Sequence, residues 1–508
     1  MNLNHGATGL LLVYGVSAAA VLTGMILGRA PITRILAFPL IAIPVFIVAT
    51  MLWTAMADPL KSLGLAKLLP YLGVAFVAIF SGLAGKLLAR LPENKIHKRG
   101  TILQESPRLA RGRLKPKGLT LAGLPVPESD EAKHFKMIGT TGTGKSTAIR
   151  ELLLGALERG DRAVIADPDG SYSARFYDPH RGDQILNPFD PQAARWDLFG
   201  EMTTLHDADQ LSRSLIADTE GAESSWRNYA RVFLTSLLRQ LHRVKHTDVA
   251  ELYRLIATTP IDDLRDLLAD TPAGPYLAQD NGRFFGAVRA VANTHLSALE
   301  HIANQTSRDS LSVRHWIRTG QGVLFLPYRA NEIATLRSII STWMRLAIYE
   351  AMSQPEGDQR LWFAIDELDA LGQIDGLKDA LARLRKFGGR CILGLQSIAQ
   401  VSGLYGRSEA QTIIENCGNT VILRCSSSEG GGTARFASGL IGEREIIREQ
   451  MTKSRRPNEW LASQSIAQHH VTEPAVLASE IEQLPDLSGF LKFASQPEWR
   501  RIRLVVPS

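Results

Sequence analysis

The amino-acid sequence predicts an α/β protein with a mostly parallel sheet, an inserted all-helical domain and an N-terminal region of membrane-spanning helices. Three observations support this fold class: long uncharged runs near the N-terminus, apolar strand-like segments that alternate with helical periodicity, and one long stretch with helical patterns alone. With 508 residues, the chain exceeds one compact core, which indicates at least two folded units. Its three cysteines include no Cys-x-x-Cys pair, so a disulfide scaffold is not expected.

Residues 1–86 are expected to cross a membrane two or three times. The uncharged runs Gly6–Gly28 and Ile35–Ala57 can each form a helix of about 34 Å, which spans the hydrocarbon core of a bilayer. A third run, Leu68–Gly85, lies between two lysines and is either a third span or a helix packed on the following domain. Because basic residues are concentrated after these runs, the rest of the chain is expected in the cytoplasm.

Residues 87–118 are expected to form a basic linker. The segment from Lys86 to Lys117 contains ten Lys or Arg residues and two acidic residues, which gives a net charge of +8. Because the whole chain carries +6, the remainder has a net charge of −2, which excludes a uniformly basic surface. A basic strip beside a membrane favours contact with anionic lipid headgroups, and nucleic acid is the alternative partner.

A glycine-rich loop between a predicted strand and a predicted helix indicates a phosphate-binding site. The apolar segment His134–Ile138 is expected to be the strand, and Ala148–Leu157 has helical spacing. Glycines allow backbone N–H groups to surround phosphate oxygens, and the start of the helix adds its positive dipole end. Lys145 is expected to contact the β- and γ-phosphates of ATP, and the Ser146 hydroxyl to bind Mg²⁺. The nucleotide-binding residues predicted from this Walker A motif are Gly139, Thr140, Thr141, Gly142, Thr143, Gly144, Lys145, Ser146 and Thr147.

Two adjacent carboxylates after a second apolar strand predict that the nucleotide is hydrolysed as well as bound. Asp366 and Glu367 come directly after Leu361–Ile365, which has the pattern of a buried strand. At the carboxyl end of a parallel strand, Asp366 can hold Mg²⁺ through water, and Glu367 can polarise the attacking water. The alternative is a solvated acidic pair at the start of the next helix.

Two further polar residues are candidates for the same site. Gln396 ends the predicted strand that begins at Cys391, so its amide is expected near Asp366, where it can sense the γ-phosphate. The alternative role for Gln396 is to cap the following helix. Arg385 belongs to a basic cluster before that strand and is a candidate arginine finger for a neighbouring subunit's nucleotide. Most such helical arginines form a solvated face, so spacing alone does not support the finger.

The predicted strands Arg162–Pro168 and Gly322–Tyr328 are separated by a long stretch with helical patterns. The expected nucleotide-binding domain comprises residues 119–190 and 305–508, and the expected helical insert comprises residues 191–304. Arginines of the insert, among them Arg231 and Arg239, are interpreted as surface charge, with DNA contact as the alternative. The polar segment Ser454–Gln468 is expected to be a loop.

Taken in order, these features resemble the coupling proteins of type IV secretion systems, the conjugative TraD/TraG-like family, and more distantly FtsK-like DNA pumps. The likeness rests on the membrane helices, the phosphate loop, the helical insert and the Asp366-Glu367 pair. It extends to the following segments: Ile185–Asp190, Gly394–Gln400, Tyr405-Gly406 and Ile413–Cys417. The resemblance implies a RecA-like P-loop ATPase fold, ATP and Mg²⁺ as cofactors, and a homo-hexamer in the bacterial inner membrane.

In that family, the residues that match Arg385 and Gln396 are assigned to the finger in trans and to the γ-phosphate sensor. The implied partners are single- and double-stranded DNA, relaxase and relaxosome proteins, and components of the secretion channel. The implied activity is ATP-driven transfer of a relaxase–DNA complex during conjugation. Family members commonly have two membrane helices, whereas two or three are counted here. The alternative functions are an ATP-switched receptor without motor activity and a channel-assembly ATPase that does not bind DNA.

Overall fold

The computed structural model divides the chain into two compact units, Met1–Ile96 and His97–Ser508. The residues that the structure describes are 3–28, 30, 35, 37–62, 68–89, 96–105, 118–218, 221, 223–307, 309–428, 431–454 and 463–506. Most of the predicted basic linker 87–118 and the middle of the segment Ser454–Gln468 therefore lie outside the described residues.

The described part of the first unit consists of three apolar helices: α1 (Leu3–Leu27), α2 (Phe38–Ser62) and α3 (Leu69–Ala89). Within the described residues, two segments are long and apolar enough to cross a membrane, Phe38–Ala57 and Leu69–Leu88. The corresponding apolar segment of α1, Leu11–Leu27, is shorter. Length and composition alone do not distinguish a membrane helix from a buried one, so the packing of the helices carries more information.

Small and polar residues make close contacts inside this helical unit beside buried apolar residues such as Met25, while many large apolar side chains lie on its outside. Ser17 on α1 and Ser81 on α3 are fully buried, and their hydroxyls share a hydrogen bond of 2.8 Å. Gly85 on α3 lies so close to α1 that a Cβ atom would collide with the carbonyl group of Val21. By contrast, Leu40 on α2 is 75% exposed. Such a distribution is typical of helices that associate in lipid.

The second unit is built on a large mixed sheet. The strands that the structure describes are β1 (Ile96–Gly100), β2 (Leu103–Glu105), β3 (Thr120–Leu121), β4 (Leu124–Pro125), β5 (Phe135–Ile138), β6 (Arg162–Pro168), β7 (Gln184–Ile185), β8 (Arg195–Trp196), β9 (Ser310–Leu311), β10 (Val323–Tyr328), β11 (Leu361–Ile365), β12 (Gly389–Leu395), β13 (Asn419–Ile422), β14 (Glu443–Ser454), β15 (Ser463–Pro474), β16 (Ser488–Lys492) and β17 (Trp499–Arg503). Ten of them form one sheet in the order β2-β17-β16-β13-β5-β12-β11-β6-β10-β7.

The strands from β13 to β7 in this sheet run parallel to one another, as the sequence predicts. The sheet continues beyond β13 with β16 and β17, which pair antiparallel, and β2 then pairs parallel with β17. The α/β fold class with a mostly parallel sheet is therefore confirmed.

Helices cover both faces of the sheet. The described helices of this unit are α4 (Glu128–Glu131), α5 (Lys145–Glu158), α6 (Ser173–Phe176), α7 (Leu205–Leu215), α8 (Glu223–Arg243), α9 (Val249–Ala257), α10 (Ile261–Leu268), α11 (Gly282–Leu296), α12 (Ala298–Ala303), α13 (Val313–Thr319), α14 (Ile333–Met352), α15 (Leu377–Arg383), α16 (Ile398–Tyr405), α17 (Arg407–Asn416), α18 (Gly432–Ile441) and α19 (Ala478–Glu482). One apolar core contains α5, and the other contains α14. Because both faces are covered, β11 is apolar along its whole length, and β5 is apolar except for the buried Lys136.

Helices α7 to α12 follow one another between β8 and β9. These two short strands pair in parallel, so the chain enters and leaves the helical region at adjacent positions. Buried side chains of the region, including Phe233 and Leu264, belong to the same core as one face of the sheet. The helical region is therefore packed on the sheet through a continuous apolar contact.

A second sheet contains β1, β14 and β15. β14 and β15 pair antiparallel over 12 residues each. The described ends of the segment Ser454–Gln468 belong to these strands, so the expectation of a loop is wrong for them. The polar composition hid the hairpin because backbone pairing can define a strand that lacks a clearly apolar face.

Candidate active site

The phosphate-binding loop lies between β5 and α5, at the carboxyl end of the parallel strands. Gly142 and Gly144 have φ angles of +77° and +117°, which residues with a side chain rarely adopt. A Cβ atom on Gly139 would lie 2.9 Å from the Cβ of Leu423 and 2.9 Å from the Thr143 hydroxyl. The glycines therefore allow a tight turn that presents the N–H groups at the start of α5, an arrangement that suits an anion.

Lys145 is the first residue of α5, and its side chain is buried beneath the loop. Its ammonium group donates hydrogen bonds to the carbonyl oxygens of Gly139 at 2.7 Å and Thr140 at 3.2 Å. Burial lowers the pKa of Lys145, and the Asp366 and Glu367 carboxylates oppose this shift. The positive charge thus lies inside the loop, where it can bind a phosphate group.

Threonine side chains hold the loop in this conformation. The Thr143 hydroxyl donates a hydrogen bond of 2.7 Å to the Thr140 carbonyl, and the Thr140 hydroxyl donates one of 3.2 Å to the Arg424 carbonyl. Thr147 lies in the first turn of α5. Two other loop residues, Thr141 and Ser146, contact the side chains that follow β11 and β12.

Ser146 and Asp366 are in direct contact. The Ser146 hydroxyl donates a hydrogen bond of 2.6 Å to Oδ2 of Asp366, and the hydroxyl of the fully buried Tyr172 donates one of 2.9 Å to the same oxygen. The other oxygen of Asp366, Oδ1, is buried and has no hydrogen-bond partner among the described residues. A hydroxyl group beside an unpaired carboxylate oxygen suits Mg²⁺, which prefers oxygen ligands, so these residues fit the predicted metal.

Glu367 and Gln396 form a second contact next to the loop. Nε2 of Gln396 donates a hydrogen bond of 2.7 Å to Oε1 of Glu367, and the Thr141 hydroxyl donates one of 3.2 Å to Oε1 of Gln396. Burial and the neighbouring Asp366 and Asp369 carboxylates raise the pKa of Glu367. A carboxylate with a raised pKa is a stronger base, which suits the activation of water.

The order of the strands explains why these residues meet. β12 lies between β5 and β11, so Gln396 at the end of β12 is flanked by the phosphate loop and by Asp366. Gly394 in β12 is required for this approach because a Cβ atom there would collide with the carbonyl group of Asp366. The N–H of Leu368 donates a hydrogen bond of 3.1 Å to the Gly394 carbonyl, which fixes the chain just after the two carboxylates.

Arg385 lies apart from this cluster. It is exposed and belongs to a 3₁₀ helix, Leu384–Phe387, that precedes β12. Gln396 follows the same strand, and a strand of seven residues is about 20 Å long. Within one chain, the structure brings together Lys145, Ser146, Asp366, Glu367 and Gln396, and it places Arg385 at the opposite end of β12.

Three buried residues beside Asp366 are not singled out by the sequence patterns: Asp167, Tyr172 and Tyr328. The Asp167 carboxylate accepts hydrogen bonds from the N–H groups of Tyr172 and Ser173, at 2.8 and 2.7 Å, and so holds the turn that carries Tyr172. Burial and the nearby Glu367 and Asp366 raise the pKa of Tyr328. Asp167 and Tyr328 could have been found from their position at the carboxyl ends of β6 and β10, because the carboxyl ends of parallel strands line such sites.

The chain matches the family model of the type IV secretion-system coupling protein DNA-binding domain over residues 118–505. It is 28% identical over 424 residues to the coupling protein TraD of Escherichia coli strain K12. The match covers 81% of this chain and 58% of TraD. The chain therefore spans little more than half the length of this curated relative.

Solved structures of the plasmid coupling protein TrwB have a similar fold. The unbound bacterial conjugative coupling protein TrwB is 32% identical, with a TM-score of 0.71, and the match covers 82% of this chain and 96% of that one. TrwB has also been solved with ADP and Mg²⁺ and with a non-hydrolysable ATP analogue, each 31% identical to this chain. The family match and the shared fold together establish that the chain belongs to the type IV secretion-system coupling proteins.

Proposed function

We propose that this coupling protein is an ATPase of the bacterial inner membrane that receives a relaxase–DNA complex and drives its transfer into a type IV secretion channel. The observation that carries this proposal is the meeting of Lys145, Ser146 and the Asp366-Glu367 pair around one phosphate-binding loop. The TrwB complexes support ATP and Mg²⁺ as the ligands of this site. Membership of the family supports DNA and the secretion channel as partners.

In this proposal, residues 139–147 bind the phosphates of ATP. The N–H groups at the start of α5 face the phosphate oxygens, and Lys145 exchanges its two carbonyl partners for oxygens of the β- and γ-phosphates. Ser146 and Asp366 would hold Mg²⁺. When bound, the metal neutralises charge on the phosphates as the γ-phosphoryl group is transferred.

Glu367 orients and polarises the water molecule that attacks the γ-phosphorus. The contact between Gln396 and Glu367 gives the amide its proposed sensor role. The Gln396 amide has two N–H donors, and one of them is bonded to Glu367, so the other is available to the γ-phosphate. The amide then links the presence of the γ-phosphate to the position of Glu367.

Arg385 acts on the nucleotide of a neighbouring subunit in this proposal. Its exposed position at the opposite end of β12 from Gln396 is unsuited to its own site and suits contact between subunits. A homo-hexamer, which the family resemblance implies, supplies such a neighbour. Charge stabilisation by an arginine in trans is a common means of activating this class of ATPase.

The helical unit anchors the protein in the membrane through two or three crossings. The buried contact between Ser17 and Ser81 and the exposure of Leu40 support lipid surroundings, and α1 has 25 residues in all. The proposed domains are 1–86 in the membrane, 87–118 as a basic linker, 119–190 with 305–508 for the nucleotide, and 191–304 for recognition of DNA and relaxosome proteins.

The decisive experiment compares the full-length protein in lipid nanodiscs with its Lys145→Ala variant. We expect single-stranded DNA to increase ATP hydrolysis by the wild-type protein, and the variant to hydrolyse ATP at the background rate with and without DNA. Plasmid transfer from donor cells should fall to background as well. The thermal unfolding of the variant without nucleotide is the control for folding. Normal plasmid transfer by Lys145→Ala would refute the motor function, and wild-type hydrolysis that ignores DNA would favour a role in channel assembly.

A further inference from the structure

A groove with three arginine side chains lies between α7 and α8 of the helical region. It has a volume of about 330 Å³. The polar residues that line it are Asp209, Arg213, Asn228, Arg231, Thr235, Ser236 and Arg239. Three guanidinium groups against a single carboxylate give the lining a positive charge, although the chain outside the basic linker is close to neutral.

Arg231 is buried in the wall of this groove, with 7% of its surface exposed, so its interpretation as surface charge is wrong. Its Nε donates a hydrogen bond of 2.6 Å to the carbonyl of Ile216, and its Nη1 donates one of 2.9 Å to Asn228 and pairs with Asp218. Its Nη2 is buried and has no hydrogen-bond partner among the described residues. Because Nη2 is enclosed by protein atoms, an acceptor in the groove does not reach it, and Arg231 contributes positive charge to the wall of the groove.

The other two arginines differ in their partners. Arg239 is occupied, because it pairs with Asp209 and donates a hydrogen bond of 3.3 Å to the carbonyl of Leu205. Arg213 is exposed and has neither an ion pair nor a hydrogen bond within the described part of the chain. The groove therefore offers one accessible guanidinium group without a partner in the described part of the chain, Arg213 on α7, beside the buried positive charge of Arg231 on α8.

We infer that this groove binds a phosphate group of the DNA backbone. Guanidinium groups match the oxygens of a phosphate with paired hydrogen bonds, and the exposed Arg213 can make them beside the positive charge of Arg231. The volume exceeds that of a phosphate group alone, and it accommodates the adjoining sugar. The inference rests on the proposed transport of DNA and assigns the contact to named residues. A free phosphorylated molecule has the same chemistry, so the experiment includes it as a separate arm.

The first arm measures binding of a fluorescent oligo(dT) to the full-length protein in nanodiscs over a series of NaCl concentrations. Arg213→Ala removes one phosphate contact. It is expected to weaken binding about three- to tenfold and to reduce the slope of log K against log[NaCl], the salt slope, by about 0.7. Arg213→Lys, which retains the charge, is expected to retain most of the slope. Arg243→Ala is the matched control, because Arg243 is exposed on α8 and does not line the groove. Equal affinity and slope in Arg213→Ala and the wild type would refute a contact with DNA.

The second arm separates a failure of the groove from a failure of the proposed DNA function. It measures stabilisation by inorganic pyrophosphate in a Lys145→Ala background, in which the phosphate loop is disabled, with and without Arg213→Ala. If the wild type does not bind DNA but pyrophosphate stabilises the background through Arg213, the groove takes a free phosphorylated ligand and the DNA function is wrong. If Arg213→Ala changes neither measurement, the groove is not a phosphate site.

Discussion

The helical unit and the sheet unit distribute their polar groups in opposite ways. In the helical unit, the Ser17 and Ser81 hydroxyls meet in the interior, whereas Leu40 is 75% exposed. In the sheet unit, side chains such as Phe135 and Phe363 fill the interior, and the polar groups of the candidate site are gathered at one edge of the sheet.

This difference indicates that the two units are stabilised in different ways. In the proposed membrane position, the helices gain little from apolar burial, so close backbone contact and hydrogen bonds between helices hold them together. The sheet unit gains stability from apolar burial in water. This stability allows the edge of the sheet that carries the candidate site, the site edge, to hold polar groups for chemistry. Changes in the helical contacts should therefore alter unfolding and spare nucleotide chemistry, and changes at the site edge should do the reverse.

Among changes that leave ATP binding intact, the largest expected effect at the site comes from Glu367→Gln. Loss of the carboxylate that activates water should lower kcat for ATP hydrolysis on the order of 100-fold. Affinity for ATP should stay within about twofold, because Lys145 and Ser146 are unchanged. Steady-state hydrolysis and equilibrium binding of a fluorescent ATP analogue measure the two quantities. Glu356→Gln, at an exposed position, is the matched control. Hydrolysis close to that of the wild type would remove Glu367 from the mechanism, and plasmid transfer without hydrolysis would favour an ATP-switched receptor.

The parts of the fold predicted from sequence are those with strong local signals. β11 was predictable because it is a continuous apolar run, and β5 because only Lys136 interrupts such a run. The phosphate loop was predictable because its glycines have fixed spacing. β7 has two residues, and β14 carries polar residues throughout, so neither has a pattern to detect.

The candidate site shows the same limit at the level of single residues. Lys145 and Asp366 stand in motifs, but the contact between Tyr172 and Asp366 joins two segments far apart in the chain. Such a contact depends on the order of the strands, which sequence patterns do not contain. The burial of Arg231 was also unpredictable, because its wall of the groove forms only when α7 packs on α8.

A smaller effect, in the helical unit, is expected from Gly85→Leu. The new side chain would collide with the backbone of α1 at Val21, and such overpacking costs about 1–3 kcal/mol. The unfolding temperature of the full-length protein in nanodiscs should therefore fall. The rate of ATP hydrolysis per folded molecule should not change. Gly15→Leu is the matched control because no atom lies within 4 Å of a Cβ at Gly15. If both variants are as stable as the wild type, the close contact between α1 and α3 does not hold the unit together.

The smallest expected effect tests whether the site edge depends on its buried tyrosine. Tyr172→Phe removes one of the two hydroxyls that donate to Oδ2 of Asp366 and keeps the aromatic ring, so packing is retained. Because the carboxylate is then held less firmly, we expect the Mg²⁺ concentration for half-maximal nucleotide binding to rise about fivefold, which corresponds to ~1 kcal/mol for one hydrogen bond. Nucleotide binding without Mg²⁺ should not change.

A magnesium titration of fluorescent ADP binding measures this midpoint independently of hydrolysis. Tyr177→Phe is the matched control, because Tyr177 follows the same short helix and is 44% exposed. A midpoint equal to that of the wild type would show that Tyr172 acts through packing alone. A rise confined to Tyr172→Phe would show that a polar contact without any sequence motif tunes the metal site, whereas Ser17 and Ser81 use their buried hydroxyls to join helices.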